Sequence, residues 1–189
     1  MTENPRERYR AQVRAEIKQH AWQQIADAGV PALSLNAIAK QMGLSGPALY
    51  RYFAGRDELI TELIRDAYRS LADTVGAATP ADLVELAGVI RAWASADPQR
   101  YFLIYGTPVP GYHAPRDITA ISDEVMAVLV ETSGTPRGAL SFWTRLHGVL
   151  SLELSGHFAG MDVDPGLLIA DELSTVVSAP PGGSVSRSR

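Results

Sequence analysis

Apolar side chains recur every three or four residues along most of this 189-residue chain, which is the spacing of one face of an α-helix. The first run covers Arg6 to about Ala28 and stops at Gly29, and the second covers Leu35 to about Met42. A third run begins near Gly46 and is interrupted by Gly55. The pattern therefore predicts three helices in the first third of the chain.

Further runs follow the same period and are separated by glycine and proline. They predict helices at about Asp57–Val75, Ala81–Ser95, Pro98–Gly106, Arg116–Glu131, Pro136–Phe158 and Pro165–Val177. Three prolines and a glycine predict a loop at Thr107–Pro115. Ala179–Arg189 has too little apolar surface to offset the entropy of ordering it, so we expect a flexible tail. The predicted fold class is all-α.

The segment Ile38–Phe53 has the spacing of two short helices joined by a tight turn. Gly43 can take the left-handed conformation that ends a helix, and Ala39 is small enough for a close helix crossing. Ser45 is a candidate N-cap for the second helix, and Pro47 fits its first turn. The inward positions are apolar: Ile38, Met42, Leu44, Leu49 and Tyr52. This spacing predicts a helix-turn-helix that reads DNA, with a generic helical hairpin as the alternative.

The outward positions of the second helix are small, hydroxylated or basic, which suits base edges and phosphates in a major groove. They are Ser45, Gly46, Ala48, Tyr50 and Arg51. Arg6, Arg8 and Arg10 at the start of the first helix are candidates for a minor-groove contact, with solvated helix-end charges as the alternative.

The net charge of −4 is divided unevenly along the chain. Residues 1–56 carry eight Lys and Arg against four Asp and Glu, a balance of +4, whereas residues 57–189 carry nine against 17, a balance of −8. Only the first third is therefore suited to a polyanion. Many acidic proteins also carry a locally basic helix, so the charge alone does not indicate DNA.

The remaining composition narrows the class of protein. A hydrophobic content of 46% is enough to bury a real core. The absence of cysteine excludes disulfides and cysteine-ligated zinc or iron–sulfur sites. We find no targeting segment and no apolar run of the roughly 18 residues that a membrane span needs. We expect a cytoplasmic protein with no membrane partner and no cofactor.

The combination of these motifs resembles a known family. Three helices, the segment Gly43–Phe53 and then Arg56-Asp57-Glu58-Leu59-Ile60 resemble the N-terminal domain of the tetracycline-repressor (TetR) family, over roughly residues 10–65. Tyr101–Tyr112 and the run Trp143-Thr144-Arg145-Leu146-His147-Gly148 resemble the C-terminal domain of a subgroup with a Trp-His-Gly signature. The resemblance implies a three-helix helix-turn-helix domain followed by a helical dimerisation and effector-binding domain.

The domain boundaries follow from the motifs and the resemblance together. We predict a helix-turn-helix domain at 1–55, a connecting helix at 56–78, an effector-binding and dimerisation domain at 79–178 and the tail at 179–189. The helix around Gly138–Phe158 is apolar on more than one side. One face can pack on its own domain and another on a second copy, and a fully buried helix in a monomer is the alternative.

The resemblance also implies which residues contact DNA. They are Ser34, Ser45, Gly46, Pro47, Ala48, Tyr50, Arg51 and Tyr52, while Leu49 and Phe53 stay in the core. The family usually has a lysine that meets a phosphate just before the acidic pair, and Arg56 carries the same charge here. The position of Arg51 is more often histidine in the family, and a guanidinium could contact guanine with two hydrogen bonds.

A set of aromatic and adaptable side chains in the second half is typical of a pocket for a small apolar or amphipathic molecule. The predicted effector-binding residues are Trp93, Tyr101, Phe102, Tyr105, Tyr112, Met126, Trp143 and His147. For each residue taken alone, core packing is the alternative.

These observations favour a ligand-responsive transcriptional regulator, expected to be a repressor, that binds a pseudo-palindromic DNA operator as a homodimer and is released by an effector. An effector-independent DNA-binding dimer is one alternative. A small-molecule enzyme is another, because His147 with Ser151 and Glu153 with His157 share helix faces. Neither pair has a visible third member, so no catalytic or metal-binding residue is assigned.

Overall fold

The computed structural model of the chain describes residues 4–106, 112 and 114–177. Within these residues the regular structure is helical, which confirms the all-α prediction. The helices are α1 (Pro5–Ala28), α2 (Leu35–Gln41), α3 (Gly46–Leu49), α4 (Arg56–Ala77), α5 (Leu83–Ala96), α6 (Pro98–Tyr105), α7 (Arg116–Ser133), α8 (Pro136–Leu154) and α9 (Pro165–Val177). One turn of 3-10 helix, Val30–Ala32, lies between α1 and α2. None of the described helices is long and apolar enough to cross a membrane.

The turn at Gly43 has the predicted left-handed conformation, with a φ of 66°. Its two hydrogen bonds end α2: the amide of Leu44 donates to the carbonyl of Ala39 at 2.8 Å, and the amide of Gly43 donates to the carbonyl of Lys40 at 3.2 Å. This is the glycine-dependent helix ending in which the last carbonyls are satisfied locally. A side chain at position 43 would be strained by the backbone itself.

Two predicted helices end earlier than the sequence indicates. The helix α3 stops at Leu49 rather than continuing toward Gly55, because the amides of Arg51 and Tyr52 donate to carbonyls only three residues back, those of Ala48 and Leu49, at 3.3 and 2.8 Å. The helix α8 stops at Leu154 rather than Phe158. There, Gly156 has a φ of 75° and repeats the glycine-dependent ending seen at Gly43.

The chain divides into two compact units, the first comprising Met1–Ser70 with Asp97–Thr119 and the second Leu71–Ala96 with Ala120–Arg189. In the first unit, α1 supplies a buried stripe to the core shared by α1, α2, α3 and α4: Val13, Ile17, Ala21 and Ile25. In the second unit α5, α8 and α9 pack together around buried side chains: Leu86, Ile90, Phe142, Leu146, Leu150 and Leu173. The predicted domain boundaries stay a prediction. The predicted tail at 179–189 and residues 107–111 and 113 of the predicted loop lie outside the described residues.

Candidate nucleic-acid interface

The helix α3, called the recognition helix below, is held at its start by Ser45. The Ser45 hydroxyl accepts a hydrogen bond from the amide of Ala48 at 3.3 Å, and Pro47 lies in the first turn. Both features agree with the sequence prediction. A hydroxyl N-cap accepts a hydrogen bond from an amide that has no partner within the helix, and proline in the first turn has no N–H that would need a partner. The start of the recognition helix is therefore fixed by local chemistry.

Residues 45–53, called the recognition segment below, comprise the recognition helix and the turn after it. This segment has a buried inner side and an exposed outer side. Leu49 and Phe53 are fully buried, as predicted. The predicted DNA-contacting residues Ser45, Pro47, Tyr50 and Arg51 are exposed, and Gly46, Ala48 and Tyr52 are partly exposed. Three residues predicted to point inward, Met42, Leu44 and Tyr52, are only partly buried and pack against the edge of the core. An outer side of small, hydroxylated and basic groups can approach base edges.

Ser34 begins the first helix of the pair. Its hydroxyl accepts a hydrogen bond from the amide of Ala37 at 3.3 Å, and its own amide donates to the Gln24 side chain on α1 at 2.9 Å. Ser34 is therefore the N-cap of α2 and is tied to α1. A helix start with free amides and a serine is a common place for a DNA phosphate.

Arg56 is engaged inside the protein. Its Nε donates to the carbonyl of Leu33 at 3.2 Å, and its Nη2 donates to the carbonyl of Val30 at 2.7 Å. The guanidinium thus fastens the start of α4 to the connection between α1 and α2. A phosphate contact by Arg56 would have to use its remaining N–H groups or replace these bonds.

Two arginines of α1 reach the far end of the recognition segment, and the sequence analysis did not identify that contact. Arg10 Nη2 donates to the carbonyl of Arg51 at 3.1 Å, and Arg14 Nη1 donates to the carbonyl of Tyr52. The sequence does contain a sign that Arg14 lies close to the core. It directly follows Val13 and precedes Ile17 by three positions, so it borders the buried stripe of α1.

Within the first unit, three of the predicted effector-binding residues form one aromatic cluster. The ring centroid of Tyr101 lies 5.4 Å from that of Phe102 and 5.6 Å from that of Tyr105. Tyr68 on α4 joins them, with its ring 5.9 Å from that of Tyr105, although it is not among the predicted effector-binding residues. Burial raises the pKa of the Tyr105 phenol, and the neighbouring tyrosines raise it further, so the Tyr105 hydroxyl stays neutral.

Tyr112 is the fourth predicted effector-binding residue in the first unit. Its hydroxyl oxygen is buried, and no hydrogen-bond partner for it lies among the described residues. Burial is also the main reason that the pKa of Tyr112 is raised. A buried hydroxyl without a partner costs free energy, so a polar group of a bound molecule would be stabilised there.

The other predicted effector-binding residues belong to the second unit. The imidazole of His147 packs edge-on against the indole of Trp143, with ring centroids 4.1 Å apart. Burial lowers the pKa of His147 to about 4, so the ring is neutral at pH 7. Trp93 and Met126 are partly exposed.

Glu153 and His157 are the second residue pair that the sequence suggests for an enzyme, but Glu153 pairs with an arginine instead. Glu153 forms a two-pronged ion pair with Arg91 on α5: Arg91 Nε lies 2.9 Å from Oε2, and Arg91 Nη2 lies 2.5 Å from Oε1. His157 is exposed in the turn after α8. Glu153 therefore holds two helices of the second unit together.

Two family descriptions match the chain, one in its first half and one in its second. "Bacterial regulatory proteins, tetR family" matches residues 17–63, which include the recognition helix and the start of α4. "Tetracyclin repressor-like, C-terminal domain" matches residues 83–176. Both agree with the resemblance that the sequence predicts.

Individual relatives agree as well. The HTH-type transcriptional regulator Rv1816 of Mycobacterium tuberculosis (strain ATCC 25618 / H37Rv) is 47% identical over 119 residues, covering 59% of this chain and 51% of that protein. The match thus spans about half the length of these curated relatives. The uncharacterized HTH-type transcriptional regulator Rv0681 of the same strain is 30% identical over 149 residues, which cover 72% of this chain and 67% of that protein. The crystal structure of the protein SCO4313 matches with 60% sequence identity and a TM-score of 0.86, and the match covers 93% of this chain and 100% of that one.

The burial of His147 predicts a pH-dependent stability. The native pKa of about 4 lies below the value of about 6.5 in an unfolded chain. Between these values the unfolded chain binds a proton that the native protein does not. Above pH 6.5 the ring is neutral in both states, so His147 makes the free energy of unfolding no lower. As the pH drops from 6.5 toward 4, protonation of the unfolded chain lowers the free energy of unfolding by up to about 1.4 kcal/mol per pH unit. Urea unfolding of the wild type and of His147→Gln between pH 7.5 and 4.5 measures it. The variant should lose stability less steeply, and equal slopes would contradict the assignment.

Proposed function

We propose a function for this chain from the family to which it belongs, the tetR family of bacterial regulatory proteins, whose members are transcriptional regulators with a DNA-binding helix-turn-helix. From this we propose that it is a ligand-responsive repressor that binds a pseudo-palindromic operator as a homodimer. A small apolar or amphipathic effector releases it from the DNA. The observation that carries the DNA-binding part is the recognition helix, whose outer residues Tyr50 and Arg51 are exposed while Leu49 and Phe53 fix its inner side.

The homodimer is supported by apolar side chains left on the outside of the second unit. Leu140 and Leu152 on α8 are 56% and 43% exposed, and Leu167 on α9 is 66% exposed. Gly148 lies between the two leucines of α8 and permits a close helix approach. One recognition helix covers only a few base pairs, so useful specificity needs a second copy related by a dyad. Burying these leucines against a second copy supplies that arrangement.

The effector-binding part is supported by aromatic side chains and by polar groups among them. The buried hydroxyl of Tyr112 in the first unit and the neutral ring of His147 in the second unit are each a polar group in largely apolar surroundings. Ligand sites commonly combine an apolar lining with a few such groups. An effector that binds the DNA-released state more tightly shifts the equilibrium toward it, and only this difference in affinity can drive release.

Protection mapping on the DNA flanking the chain's own gene tests the proposal as a whole. We expect one protected site with two half-sites, bound by a dimer in sedimentation analysis. Candidate apolar ligands that raise the melting temperature should also remove the protection. Protection that no stabilising ligand removes would favour the effector-independent dimer, and a monomer on DNA would contradict the homodimer.

Arg51→Ala tests direct reading of a base. If the guanidinium contacts guanine with two hydrogen bonds, the substitution should change sequence preference by about 1–3 kcal/mol at one base pair per half-site. Binding to operators that differ at each position measures this. Tyr50→Ala, an exposed neighbour without a cation, is the matched comparison. Uniform weakening across all operators would refute base reading by Arg51.

Arg56→Ala tests the phosphate contact. Loss of a phosphate contact should weaken all sequences alike and reduce the slope of log affinity against log salt by about one. The bonds from Arg56 to Val30 and Leu33 offer a different route to weaker binding, through misplacement of Ser34. Affinities measured over a series of salt concentrations separate the two. An unchanged slope would remove the phosphate role and leave the anchoring role.

A further inference from the structure

We propose that Arg14 is a positioning residue for DNA binding, which fixes the end of the recognition segment while its charge is balanced inside the protein. The inference rests on the DNA-binding role proposed above and adds a specificity-determining residue that is not itself among the proposed DNA contacts. It comes from the contacts at the end of the recognition segment, where the regular helix has already stopped.

At the end of the recognition segment, two backbone carbonyls accept hydrogen bonds from side chains of α1. After Leu49, the amides of Arg51 and Tyr52 donate to carbonyls three residues back, so the α-helical pattern of bonds does not continue. The carbonyls of Arg51 and Tyr52 instead accept hydrogen bonds from Arg10 and Arg14 of α1.

Arg14 joins three parts of the first unit at once. Besides the carbonyl of Tyr52, its guanidinium lies over the ring of Phe53, with Cζ 4.1 Å from the centroid. Its Nη1 is 3.5 Å from Glu58 Oε1, and its Nη2 is 3.4 Å from Glu62 Oε1, both on α4. The Arg14 side chain is only 24% exposed. The residue therefore fastens the recognition segment to α1 and α4 together.

These contacts need the shape of a guanidinium. Its planar fork can donate to a carbonyl and to two carboxylates while its face stacks on a ring, whereas the compact ammonium of lysine cannot do all four. The two glutamates also balance the charge, so Arg14 contributes little as a cation toward phosphate. Arg14 thus holds a backbone position without adding to the electrostatic attraction of DNA.

The backbone that Arg14 holds carries the residues proposed to read DNA. Arg51 and Tyr52 are consecutive, so a shift of the Tyr52 carbonyl moves the Cα from which the Arg51 side chain extends. Contacts to base edges depend on that position, whereas attraction to phosphates depends mainly on net charge. Loss of Arg14 should therefore reduce selective binding far more than nonspecific binding.

The experiment compares three variants on two DNA probes. Arg14→Met keeps an unbranched apolar stem over Phe53 and removes the donors, and Arg14→Lys keeps the charge. Lys18→Met is the matched control, because Lys18 lies one turn further along α1 and pairs with Asp66 of α4 at 2.6 Å. The probes are the fragment protected by the wild type and a scrambled fragment of equal length. Circular dichroism sets a temperature at which every variant is folded.

We expect Arg14→Met to weaken binding to the protected fragment by about tenfold or more, with a smaller loss on the scrambled fragment and an unchanged salt slope. Arg14→Lys should not restore selectivity. Lys18→Met should stay within about threefold of the wild type on both probes, as for a surface ion pair. If Arg14→Met does not fold, the loss of selectivity in Arg14→Lys decides the question.

Several results would overturn the inference. Equal weakening on both probes with a salt slope lower by about one would make Arg14 a phosphate contact. If Arg14→Lys kept the selectivity of the wild type, only the charge of Arg14 would matter. If Arg14→Met and Lys18→Met bound both probes equally well, Arg14 would have no positioning role. A wild-type protein that protects no fragment would instead refute the proposed function itself.

Discussion

A helix of four residues cannot hold its own shape in water, because the cost of forming the first turn is recovered only over many more residues. The recognition helix, Gly46–Leu49, therefore depends on its neighbours. Ser45 satisfies an amide at its start, and Leu49 and Phe53 anchor its inner side in the core. Arg14 holds its end. The outer surface offered to DNA is thus placed by residues that face away from it.

The predictable part of this site rests on local signals. Gly43 and Ser45 act on amides and carbonyls within a few residues, so the sequence alone predicts the turn and the cap. The end of the recognition helix was missed, because no helix-breaking residue occurs before Gly55. The partners of Arg56 were missed for another reason. A long side chain finds its partners by proximity in the folded protein, and those carbonyls lie 23 and 26 residues earlier in the chain.

The aromatic residues show the same limit. Their composition predicts an apolar lining with a few polar tips, which is a property of residue types. Which rings touch is a property of packing: Tyr68 of α4 joins Tyr101 and Tyr105 of α6 across more than 30 positions of sequence. Spacing within one helix predicts the face on which Tyr68 lies, but not the ring it meets. The arrangement of these rings therefore depends on contacts that periodicity does not contain.

Charged contacts connect the anchoring of the recognition segment to the start of α7. Glu62, a partner of Arg14, also accepts a hydrogen bond from Arg65 Nη1 at 2.6 Å, and Arg65 Nε donates to Asp117 Oδ2 at 2.7 Å. That last bond holds the pKa of Asp117 below its ordinary value. Each exposed pair alone contributes little to stability. Arg65 can contact both carboxylates only while α4 and the first turn of α7 keep their spacing, so the glutamate that pairs with Arg14 is itself held by a contact that reaches α7.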